Sequence, residues 1–117
     1  MVKKAKTVKP RFRVFLGDEI AIGPGKAELL HAIAETGSIQ HAAGTLGMSY
    51  MRAWKLVRTM NNCFRRPLVE AERGGKSKGG AHLTPLGARV LELYTSLEAT
   101  SLAATEPAWQ EILTALK

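Results

Sequence analysis

The chain has 117 residues, 45% of them hydrophobic, and a formal net charge of +7. That length suits one domain with a modest core, no apolar run approaches the ~18 to 20 residues that cross a bilayer, and a single cysteine, Cys63, leaves no internal disulfide. The charge is uneven: residues 1–16 carry six cations and no acids, and residues 52–89 carry nine cations against Glu70 and Glu72. A polyanionic partner accounts for such clustering, because cations gain affinity by displacing its condensed counterions.

Residues 1–10 hold four lysines without periodicity and read as a flexible basic arm, suited to phosphate contact or to solubility. The basic start lacks an apolar segment, so no signal peptide is expected and the chain is expected in the cytoplasm. Phe12, Val14 and Leu16 alternate with Arg11, Arg13 and Phe15, predicting a strand that turns at Gly17-Asp18-Glu19 and returns through Ile20 and Ile22 as a small hairpin. From Lys26 to Thr36 the residues Leu29, Leu30, Ile33 and Ala34 predict a helix face that ends at Gly37.

Ile39, Ala42, Ala43 and Leu46 then fall at i, i+3, i+4 and i+7, one face of a second helix. Gly47 can take the left-handed backbone of a C-cap, and Ser49 is a natural N-cap for the helix that follows. Two short helices joined by a tight turn form a helix-turn-helix. In the third helix Tyr50, Ala53, Trp54, Val57, Met60 and Phe64 make an apolar stripe, so this helix is expected to bury its aromatics. Arg52, Lys55, Thr59 and Asn62 fall opposite, with Arg58 near the edge, and donors of that kind can reach base edges in a major groove about 12 Å wide. Cys63, close to the stripe, reads as a small buried hydrophobe, and His31, His41 and His82 make no metal-ligand spacing with it.

Arg65-Arg66-Pro67 breaks the helix, since proline lacks an amide donor. Residues 68–73 and 81–84 read as strands around the loop GGKSKGG, where glycines let a backbone approach closely, Lys76 and Lys78 bring charge and Ser77 a hydroxyl. A hairpin in that place is the wing of a winged helix. Gly75-Lys76-Ser77 is a poor phosphate-binding P-loop, because the leading glycine of that pattern falls on Glu70 and the loop joins two strands. Thr84-Pro85 starts another helix with Val90, Leu93, Tyr94 and Leu97 on one face, expected to fray from Ala99 to Thr105. After Glu106-Pro107, Trp109, Ile112, Leu113 and Leu116 mark a last apolar face that either packs on its own chain or, the favoured reading, pairs across a two-fold axis.

The segments GSIQHAAGTLGMSYMRAWKLVRTMNN, LVEAERGGKSKGGAHLT and LGARVLELY together resemble the N-terminal DNA-binding domain of the molybdate-responsive ModE regulators, over most of residues 12–97. The Gly37-Ser38 and Leu83-Thr84 regions are more weakly similar to LysR-type regulators. The resemblance implies a winged-helix dimer that contacts DNA through the helix around Tyr50, Arg52 and Lys55 and the wing around Lys76 and Lys78. Regulators of that kind continue into β-rich molybdate-binding domains, whereas a helical tail closes this sequence, so direct oxyanion sensing is not expected.

These readings combine into a mainly α fold with small β-hairpins: a basic arm (1–10), a winged helix-turn-helix (11–84) and a helical tail (85–117). The expected function is sequence-specific binding of double-stranded DNA by a homodimeric transcription regulator with no catalytic residues, metal or cofactor; the alternative is a protein-interaction adaptor using the basic face and the tail. Candidate DNA contacts are Ser38, Gln40, Ser49, Tyr50, Arg52, Lys55, Arg58, Thr59, Lys76, Ser77 and Lys78. Candidate dimer contacts are Val90, Tyr94, Leu97, Trp109, Ile112, Leu113 and Leu116.

Overall fold

A computed structural model describes residues 4–72 and 80–117. The chain runs β1 (Val14–Leu16), β2 (Glu19–Ile22), α1 (Pro24–Thr36), α2 (Ile39–Thr45), α3 (Tyr50–Cys63), β3 (Val69–Ala71), β4 (Ala81–Leu83), α4 (Pro85–Ala104) and α5 (Glu106–Ala115). Each helix of the central unit is delimited by residues suited to the task. Pro24 occupies the first turn of α1, where its missing N–H costs nothing, and Gly37 ends that helix at φ 70°. Ser38 caps α2 by accepting from His41 N at 3.1 Å. Gly47, at φ 69°, then turns the chain so that Ser49 caps α3 through Arg52 N, also at 3.1 Å.

The core lies where these three helices meet. Leu29, Leu30 and Ile33 of α1, Ile39, Ala42 and Ala43 of α2, and Ala53, Val57 and Met60 of α3 are all buried. Alanines on the facing sides of α2 and α3 let the two backbones approach closely, and larger side chains from α1 fill the floor beneath them. Ala34, expected on the buried face of α1, is exposed; Ala27 and Ala32 take up that packing.

The two hairpins meet this core differently. β3 and β4 pair antiparallel with Val69 opposite Leu83, Glu70 opposite His82 and Ala71 opposite Ala81. Their root is tied to the α1–α2 junction, since Ala81 N donates to Gly37 O at 2.8 Å and Gly80 bridges to Ser38. The strands are shorter than expected, because Leu68 is a core residue ahead of β3 and Thr84 leaves the ladder to cap α4. In the first hairpin only β2 packs inward, through Ala21 and Ile22. The hairpin expected at the front forms, with Phe12, Val14, Phe15 and Leu16 all exposed and a register shift between Val14 and Phe15. With β2 lying against α3, β1 stays largely exposed.

Thr84 joins the wing to the tail. Its hydroxyl donates to Pro67 O at 2.7 Å and accepts from Gly87 N at 3.0 Å. Gly87 lies so close to the preceding loop that a Cβ there would meet Leu68 O at 2.0 Å. Further along α4, Tyr94 is buried and its hydroxyl donates to Phe12 O at 2.8 Å. The expected fraying of α4 from Ala99 does not occur; the helix continues to Ala104, since the Ala- and Leu-rich segment is made of strong helix formers. Pro107 in the first turn of α5 fixes where the next helix starts, and Trp109 Nε1 donates back to Leu102 O at 3.0 Å. No residue of α5 is buried.

Candidate nucleic-acid interface

Helix α3 contains no acidic residue, and none of its cations is in an ion pair among the described residues. Its buried side is Ala53, Val57 and Met60, with Leu56 and Phe64 partly buried against the same cluster. Tyr50 and Trp54, expected inside, are 47% and 40% exposed. The inclusion of Leu56 and the exclusion of the two rings turn the helix by about 40° from the expected orientation, at ~100° per residue. Met51, Lys55, Arg58 and Asn62 thereby come to the centre of the exposed face, and all four are exposed. Arg52 remains exposed towards one edge. Thr59 is half-buried with its hydroxyl donating to Lys55 O at 3.0 Å, so it is less free than expected. The Arg58 guanidinium lies 5.9 Å from the centroid of the Trp54 ring, an arrangement in which the ring face attracts the cation.

Between α3 and the wing root is a cavity of about 340 Å³ lined by Ile39, Gln40, Tyr50, Ala71, Glu72 and Gly80. It brings together Gln40 and Tyr50, two residues proposed from sequence. The two serines have another task. Ser38 is buried, and both Ser38 and Ser49 direct their side-chain oxygens to backbone amides of the helices they begin. Lys76, Ser77 and Lys78 lie outside the described residues.

The residue that sequence reasoning missed is Asn61. Its Oδ1 accepts from Leu68 N at 2.8 Å and Val69 N at 3.2 Å, and its Nδ2 donates to Val69 O at 3.0 Å. One amide side chain therefore fastens the end of α3 to the start of the wing. The available signal was an amide at the border of the apolar stripe, six residues before a proline that must turn the chain back.

Of the tail positions, Leu97, Ile112 and Leu116 are exposed and Val90, Trp109 and Leu113 are half-buried. Tyr94 belongs instead to the core of its own chain. Cys63, expected to be buried, is partly exposed beside Leu16, Glu19, Thr59 and Asn62. His31 and His82 are surface residues 3.3 Å and 3.4 Å from Glu35 and Glu70. No cluster of three or more metal-ligating side chains occurs among the described residues, and none of their helices is long and apolar enough to cross a membrane.

The sequence is similar to part of several longer proteins. The molybdenum-pterin-binding protein MopB of Rhodobacter capsulatus is 46% identical over 78 residues, 67% of this chain and 29% of its own. The transcriptional regulator ModE of Haemophilus influenzae is 41% identical over 85 residues, 73% of this chain and 33% of its own. The DNA-binding transcriptional dual regulator ModE of Escherichia coli K12 is 40% identical over 82 residues, 70% of this chain and 31% of its own. The chain thus spans about a third or less of the length of these relatives. Among solved structures, a CbnR_DBD–DNA complex superposes with a TM-score of 0.59 at 19% identity, covering 75% of this chain and 95% of that one. A LysR family transcriptional regulator superposes with a TM-score of 0.54 at 14% identity, covering 71% of this chain and 27% of that one. These two share the winged-helix fold. The sequence profile of the bacterial regulatory helix-turn-helix proteins of the LysR family matches residues 25–88, from the first turn of α1 to the first turn of α4, and the chain belongs to that family.

Proposed function

We propose that the chain is the DNA-binding part of a transcription regulator, reading a specific duplex sequence with α3 in the major groove and resting the β3–β4 wing on the backbone. The observation that carries this reading is the acid-free outer face of α3, where Met51, Lys55, Arg58 and Asn62 are exposed together. Lys55 and Arg58 suit guanine edges or phosphates, Asn62 suits adenine, and Met51 and the rim of Trp54 suit thymine methyl groups. Gln40 and Tyr50 extend this surface towards the wing, and Lys76, Ser77 and Lys78 add backbone contacts. In this reading the chain performs no catalysis and works in the cytoplasm. The exposed Leu97, Ile112 and Leu116 of the tail pair with a second copy, placing two recognition helices about 34 Å apart.

Selection of bound sites from random duplex, followed by a salt titration of the selected site, tests the proposal. The expected result is a two-fold symmetric consensus whose affinity falls steeply with salt. No enrichment, with no salt-dependent affinity for any duplex, would overturn it in favour of a protein-interaction adaptor.

A further inference from the structure

We infer that the hollow between the first hairpin and the start of α1 is a second phosphate-binding site, which holds a backbone phosphodiester of the duplex on the flank of the recognition helix. The inference rests on the reading of α3 given above. The hollow has a volume of about 220 Å³, and four cations line it: Arg11 and Arg13 ahead of β1, Lys26 in the first turn of α1, and Arg52 in the first turn of α3. No carboxylate lines it among the described residues, and none of the four cations is in an ion pair there. Four like charges brought together from three segments repel one another unless an anion offsets them.

The fold holds this cluster in place. Tyr94 donates to the carbonyl of Phe12, the residue between Arg11 and Arg13, and so ties that stretch to α4. Gly23 makes room for the Arg13 stem, since a Cβ at Gly23 would lie 3.2 Å from Arg13 Cγ. The first turn of α1 has no side-chain cap, so the amides of Gly25 and Lys26, which line the hollow, add donors beside it. Three guanidinium forks and an ammonium, with no acceptor side chain among them, suit a tetrahedral oxyanion better than a base edge, which presents both donors and acceptors. Arg52 connects the hollow to α3, so the anion best placed to fill it is a phosphodiester bordering the groove that α3 enters. This would widen the footprint beyond the helix and the wing.

The test uses Arg13→Gln, Lys26→Gln and the double variant, with Arg13→Lys to restore charge and Lys117→Gln as a control for net charge. Affinity for the selected site and for a random duplex is measured by fluorescence anisotropy across a salt series. Each removed cation is expected to make the slope of log K against log salt shallower by about one on both duplexes. Arg13→Lys and Lys117→Gln should keep the wild-type slope, and all variants should unfold at the wild-type temperature. A wild-type slope in the double variant, or an equal change in Lys117→Gln, would overturn the inference while leaving the role of α3 intact. Failure of the wild-type chain to bind any duplex would instead overturn the role of α3. Inorganic phosphate and molybdate are titrated separately against the DNA-free chain. Stabilisation that Arg13→Gln abolishes, with DNA slopes unchanged, would assign the hollow to a free oxyanion and overturn the duplex assignment.

Discussion

Replacing Asn61 by alanine separates the wing from α3 without touching either surface proposed to meet DNA. The side chain makes three hydrogen bonds to the backbone of Leu68 and Val69, two accepted and one donated. Both of those residues are buried, so water has poor access to the groups that truncation would strand. At about 0.5 to 1.5 kcal/mol net per bond, the loss comes to about 2 to 4 kcal/mol. That is a large share of the ~5 to 15 kcal/mol that holds a small domain together. Asn61→Asp keeps both accepted bonds but sets a carboxylate oxygen against Val69 O in place of the donated one, so it too should fall below wild type. Urea unfolding followed by circular dichroism would show both losses directly, with the midpoint falling and the slope m unchanged. A second readout tests what the fastening is for. If Asn61 sets the angle between α3 and the wing, its removal should weaken the selected site more than a random duplex, because only the former needs both elements in register. A loss under about 1 kcal/mol with m unchanged would refute the hydrogen-bond reasoning.

Gly87→Ala should destabilise by about 3 kcal/mol or more, read as a lowered urea midpoint, because the new Cβ would sit 2.0 Å from a backbone oxygen rather than beside a movable side chain. Tyr94→Phe should cost about 1 kcal/mol for the bond to Phe12 O. Burial, with the Glu98 carboxylate close by, raises the Tyr94 phenol above its ordinary value of about 10. Its contribution is therefore complete below pH ~10 and is lost as pH rises through the elevated folded value; that part of the alkaline decline in stability should be missing from Tyr94→Phe. Trp54→Ala should change stability by less than about 1 kcal/mol, since the ring is partly exposed, yet lower duplex affinity about tenfold. In a Trp109→Phe background, quenching of the remaining indole on addition of duplex would report the contact.

The features most legible in the sequence were those decided within a few residues. Ser49 and Thr84 each cap a helix through a side-chain oxygen and Gly37 and Gly47 take the left-handed turns that follow α1 and α2, as read from the sequence, whereas Ser38, read as a DNA contact, caps α2. Those five residues delimit the helix-turn-helix and the start of the tail, so its existence could be read locally. Rotation of α3 could not, because it depends on which neighbour lies beneath it. An apolar stripe that includes Tyr50 and Trp54 is as periodic as one that includes Leu56, and only the position of α1 and β2 selects the second. The same limit holds for β1, whose alternation predicts a strand but not that its side chains stay exposed.

This division between local and tertiary control bears on how the interface can vary. Ser49 and Ala53 secure the start of α3, and Met60 and Asn61 secure its end. The outer face of the helix exposes Lys55, Arg58 and Asn62 to solvent, with Arg58 lying over the Trp54 ring. Stability is thus supplied by one side of the helix, and the residues proposed to choose a DNA sequence lie on the other. Exposed substitutions away from caps and cores change stability by about 0.5 kcal/mol or less, so this face can exchange one base preference for another while the fold beneath it stays the same.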